Sequence, residues 1–162
     1  MTAKETPVEK PAQIIPMLRT DFISVIILGA IIGLFIWGFG AALNRFVFEE
    51  YFCQGDISSQ CGSAKSFSVA AASLVGGIAA LTGLIRLRVF RPLLVLIASL
   101  VSTWGAVQTS WDLGRFTGIV AVIVLYALAF GVFAWIARIR EFWIALVVMI
   151  VLVVAVRLAL TL

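Results

Sequence analysis

Two cysteines, one arginine in an apolar run and a few hydroxyls are the groups in this sequence whose type and placement suit chemistry. Cys53 and Cys61 stand in YFCQGDISSQCG, eight positions apart, with Gly55, Asp56, Ser58 and Ser59 between them as turn formers. In an unbroken helix the two would lie about 12 Å apart along the axis, beyond disulfide reach, so a bond requires the chain to fold back between them. The spacing predicts that bond, which on a chain-entropy view stabilises the closed segment by roughly 2.5 kcal/mol. Thiol–disulfide exchange is an alternative use of the same pair, but it favours a low-pKa C-x-x-C arrangement and a second pair to pass electrons onward, and the chain has neither. A metal would need Asp56, Glu49 or Glu50 to complete a tetrahedral set, and no convincing set of four is available.

Arg157 is the only formal charge within a long apolar run, and an ionisable group at membrane depth is a functional suspect by default. It stands five residues before Leu162, near enough for its guanidinium to snorkel to the interface. The competing reading pairs it with Asp112 of TSWDLGR or sets it in a polar cavity; Asp112 is equally placed to pair with Arg115. Ser99, Ser102, Thr103 and Gln108 either line a path for a polar solute or return hydrogen bonds to carbonyls one turn back. Arg157, Asp112 and Thr103 thus form the candidate membrane-embedded polar site. The chain contains no histidine, which removes the usual base near neutral pH and the commonest metal ligand. With no Gly-rich phosphate loop, Ser-His-Asp set or paired intramembrane carboxylates, the expectation is a protein that is not an enzyme and carries no cofactor or metal.

The elements that must position these groups follow from composition. Of 162 residues, 63% are apolar and 12% charged, more apolar surface than a core of this size can hide, so lipid is the solvent for most side chains. Residues 1–21 are polar and broken by Pro7, Pro11 and Pro16, which predicts a disordered tail. Five apolar runs follow, at 22–43, 67–85, 92–108, 116–137 and 142–162, each read as a transmembrane helix. The third is the shortest at 17 residues. Between the first two lies an outer loop, 44–66, holding both cysteines; its FVFEEYFC stretch suits an amphipathic surface helix or an extension of the first span.

Basic residues set the orientation. With the N-terminus inside, the cytoplasmic side carries Lys4, Lys10, Arg19, Arg86, Arg88, Arg91, Arg138 and Arg140, against Arg45, Lys65 and Arg115 outside. This predicts an all-α bundle of five transmembrane helices in a plasma membrane, by size and style a bacterial inner membrane, with the N-terminus cytoplasmic and the C-terminus outside. The net charge of +4 is scattered among short turns rather than forming a basic stripe, which excludes a nucleic-acid face.

Gly29 and Gly33 form a GxxxG pattern in the first span, and Ala72, Gly76 and Ala80 a small-residue stripe in the second. Such stripes let backbones approach closely, and the two are expected to pack on each other or to form a dimer contact. Residues 86–90 and 138–142 match at an offset of 52, either as turns of duplicated hairpins or because any inner turn attracts Arg and Phe. The leading functional expectation is a scaffold or accessory subunit whose partners are the bilayer and other membrane proteins or a second copy. Carriage of a small or lipid-like solute is the alternative, and thiol exchange the third.

Overall fold

The computed structural model describes residues 19–52 and 58–161, with side chains at 19–50 and 64–158. All of the described regular structure is helical: α1 (Arg19–Leu43), a π turn (Asn44–Phe48), α2 (Glu49–Phe52), α3 (Ser58–Arg86), α4 (Pro92–Thr103), α5 (Ala106–Asp112), α6 (Arg115–Ile136) and α7 (Phe142–Thr161). Four stretches, 19–48, 64–86, 92–112 and 115–136, are long and apolar enough to cross a membrane. The 20 residues of α7 span about 30 Å, the thickness of a hydrocarbon core. Helices suit that solvent because each satisfies its own backbone N–H and C=O groups.

α1 packs most extensively on α6 and next on α3. It turns a different kind of surface to each. Toward α6 it offers glycine: a Cβ built on Gly29 would lie 2.8 Å from Phe130 Cβ, and one on Gly33 would lie 2.8 Å from Tyr126 Cβ. Toward α3 it offers large aliphatics, Ile36 filling the space over Gly76 and Leu28 that over Gly83. The two small-residue stripes therefore do not face each other. Each receives bulky side chains from a different helix, because two rows of glycine in register would leave a void where knob-into-groove contact yields dispersion energy. Val25, Ile32 and Ile36 of α1 and Val122, Tyr126 and Phe130 of α6 are buried at the centre of these two contacts.

Two expected boundaries move. The segment 44–66 is mostly helical rather than a loop. α1 runs on through the π turn, where Glu49 N–H bonds to Asn44 O, and α3 begins at Ser58, well before the apolar run. Polar residues such as Ser58–Ser66 show no apolar periodicity, yet they extend an existing helix readily because propagation is far easier than nucleation. The third span is two helices, α4 and α5, broken at Trp104 and Gly105, and it reaches Asp112 instead of ending at 108. Gly105 has φ +93°, a left-handed conformation that costs glycine little. Most of the expected disordered tail, residues 1–18, lies outside the described residues; α1 begins at Arg19.

The turns at 86–91 and 138–141 differ in backbone. After α3, Arg88 takes φ 51° while Val89 N–H bonds Leu84 O and Arg88 N–H bonds Ile85 O. This is the Schellman arrangement, with Val89 and Leu84 both buried as its apolar contact. After α6 the chain instead makes tight turns, Arg138 N–H to Trp135 O and Ile139 N–H to Ile136 O, with no residue at positive φ.

Candidate functional site

The break between α4 and α5 gathers the polar groups that the sequence placed at membrane depth. Ser99 Oγ donates to Val95 O at 2.8 Å, Ser102 Oγ to Ser99 O at 3.0 Å and Thr103 Oγ1 to Ser99 O at 2.8 Å. All three hydroxyls are buried and turned back onto their own helix. Tyr126 of α6 reaches Thr103 through its side chain, so the last turn of α4 is tied to the central α1–α6 seam.

Arg157 comes to the same place from α7. Its Nη1 donates to Trp104 O at 2.7 Å, next to Thr103; a Cβ on Gly105 would stand 3.8 Å from that nitrogen, an ordinary contact, so the positive φ rather than the approach of Arg157 is what calls for glycine there. Asp112 is engaged elsewhere: its Oδ1 lies 3.5 Å from Lys65 Nζ, an exposed ion pair joining α5 to the start of α3. Gln108 Nε2 to Ser66 Oγ at 3.3 Å adds a second tie between the same helices. Of the three residues of the candidate polar site, the fold thus brings Arg157 to Trp104, the chain neighbour of Thr103, and places Asp112 in the α3–α5 contact.

A second arginine does the converse work at the opposite end of the same helix pair. Arg91, at the start of α4 with φ 58°, sends Nη2 to Arg140 O at 3.1 Å and Nη1 to Ile139 O at 3.5 Å. Its guanidinium lies 4.7 Å from the Phe90 ring centroid and 4.9 Å from that of Phe142. α4 thus holds the beginning of α7, and α7 holds the end of α4. Between these two pins the helices touch narrowly: Ala145 and Met149 are the fully buried side chains among those described on α7.

That narrow contact leaves space on both sides. On one side a groove of about 630 Å³ runs between α4 and α7, lined by Leu93, Ile97, Val101, Leu146, Ile150 and Val154, with Arg91 and Phe142 at its mouth. On the other a smaller cavity of about 260 Å³ lies beside the break, between Ser102, Thr103, Ala129, Phe133, Leu152 and Val156. Both are walled mainly by apolar side chains, and the hydroxyls of Ser102 and Thr103 at the smaller one already serve the helix backbone.

Sequence reasoning missed Arg91 as a pin, counting it only as a topology charge; the aromatic neighbours Phe90 and Phe142 were the available signal. It also missed that Trp37 Nε1, Trp111 Nε1 and Asn44 Oδ1 are buried without a protein hydrogen-bond partner among the described residues. Asn44 Nδ2, in contrast, donates to Glu49 Oε1 at 2.7 Å across the π turn. The expected Cys53–Cys61 disulfide lies outside the described residues. Among the described residues no group of three or more His, Cys, Asp or Glu is placed to hold a metal. Comparison with protein families, with characterised proteins and with solved structures finds no match for the chain.

Proposed function

We propose that this chain is a small integral membrane protein acting without catalysis, as a scaffold or accessory subunit of a membrane assembly. The observation that carries the reading is the α1–α6 seam, in which Gly29 and Gly33 admit Phe130 and Tyr126 to contact distance. Such a seam makes a stiff frame. Around it, the hydroxyls of α4 are spent on holding helices in shape and not on a reacting group. Passage of a polar solute draws less support, since the cavities beside Thr103 and along α4 are walled by apolar side chains.

The frame sits with its N-terminus on the cytoplasmic side of a plasma membrane, in a bacterium the inner one. Support comes from the grouping of charges: the Arg91–Arg140 contact joins the turns at 86–91 and 138–141 at one end, and Arg19 shares a cleft there with Arg138. Lys65 and Asp112 mark the other end. On this orientation Cys53 and Cys61 face the oxidising compartment and form the disulfide. Partners engage the cysteine segment and the Arg-rich inner turns, where Arg88 and Arg140 are exposed.

A photo-crosslinking amino acid placed at 88, at 140 and, as a lipid-facing control, at Ile78 tests the reading in intact membranes. A discrete higher-mass adduct from 88 or 140 that is missing from 78 is expected. Equal, diffuse labelling at all three positions would sink it.

A further inference from the structure

The groove between α4 and α7 has a depth and a charge pattern that select one class of occupant. From Pro92 to Val101 the α4 wall rises about 14 Å, and from Phe142 to Val154 the α7 wall rises about 18 Å. Half of a 30 Å hydrocarbon core is about 15 Å, so the groove reaches from one interface to roughly the midplane. Beyond that level α7 is drawn onto the helix break by Arg157 and Trp104. A transmembrane helix from a partner or a second copy needs a face running the full thickness of the bilayer. An acyl chain needs one leaflet.

The mouth supplies the complementary charge. Arg86, Arg88, Arg91, Arg138 and Arg140 surround the two turns there, against Glu141 as the one carboxylate within them. Arg91 is held by two backbone carbonyls and two aromatic rings, so its guanidinium is kept at the rim, and those carbonyls take only two of its five N–H groups. On the proposed orientation this end is the cytoplasmic face, where basic pockets between helices bind anionic headgroups. We propose that the α4–α7 groove binds a phospholipid with an anionic headgroup, one acyl chain lying against Leu93, Ile97 and Ile150 and the phosphate beside Arg91.

The test is native mass spectrometry of the full chain in mild detergent doped with equal amounts of phosphatidylglycerol and phosphatidylcholine. The wild type should retain one phosphatidylglycerol about fivefold over phosphatidylcholine, the worth of roughly one basic residue at an anionic surface. Arg91→Gln should lower that preference toward parity. Ile97→Trp, which fills the groove from an exposed position, should reduce retention of both lipids, whereas Leu74→Trp on the exposed face of α3 should change neither. The groove variant keeps the test decisive if Arg91→Gln does not fold. Equal retention of the two lipids by the wild type overturns the proposal. So does unchanged retention in Ile97→Trp, or a lipid-free two-chain species that Ile97→Trp abolishes.

Discussion

Arg157 Nη1 donates to the carbonyl of Trp104 at 2.7 Å, so the charge that stands alone in the last apolar run serves as the cap of a helix broken 53 residues earlier. The break at Gly105 interrupts α4 at Trp104, and in a hydrocarbon medium an unmatched carbonyl is costly. An arginine anchored on a packed helix, with five N–H donors to offer, is a lasting partner for it.

Replacing Arg157 by Met should therefore destabilise the fold by about 1.5–3 kcal/mol, the usual net worth of a hydrogen bond to a charged group. Arg157→Lys should recover part of it. Thermal unfolding in detergent micelles measures both, and a Met variant as stable as the wild type would show that the contact contributes nothing.

The α1 glycines are not equivalent. Gly29→Ala and Gly33→Ala each force a methyl into contact with Phe130 or Tyr126 and should cost about 1–3 kcal/mol by overpacking. Gly38 has nothing within 4 Å of a built Cβ, so Gly38→Ala should be neutral or stabilising by up to about 1 kcal/mol, from helix propensity alone. Unfolding by added SDS ranks the three variants.

Arg88 occupies the left-handed position that closes α3, where glycine is the residue of least strain. Arg88→Gly should raise stability by about 1 kcal/mol, and Arg88→Val should lower it, since a branched Cβ clashes most in that region. Opposite shifts in melting temperature are the expected result; shifts of the same sign would contradict the geometry.

Substituting both Cys53 and Cys61 with Ser should lower the melting temperature, by an amount equivalent to roughly 2.5 kcal/mol, without preventing membrane insertion. In intact cells a membrane-impermeant thiol reagent should label these positions only after reduction. Labelling confined to permeabilised, reduced cells would reverse the orientation proposed here.

How much of this was legible beforehand depends on what each residue had to choose between. The apolar runs could be seen because a charge inside lipid costs several kcal/mol, leaving little freedom in where spans lie. Gly29 and Gly33 announced a close approach, but a glycine row states only that something large must come near. That the visitor is Phe130 and not the stripe at Gly76 depends on the shapes of two facing helices. The break at Gly105 was legible in principle as an isolated glycine after tryptophan, yet many spans carry such a glycine unbroken. The partner of Arg157 was hidden because it is a backbone carbonyl, a group every residue has.

The dominance of the α1–α6 contact also sets a schedule for biogenesis. Ninety-three residues separate Gly33 from Tyr126, and at roughly 5–20 residues per second the ribosome takes about 5–20 s to make them. Throughout that interval the first segment sits in the translocon or the surrounding bilayer with its notch unfilled. Assembly is therefore governed by the arrival of the fourth segment, and a chain arrested before Arg115 would present that notch to whatever insertion chaperone or neighbouring protein is at hand.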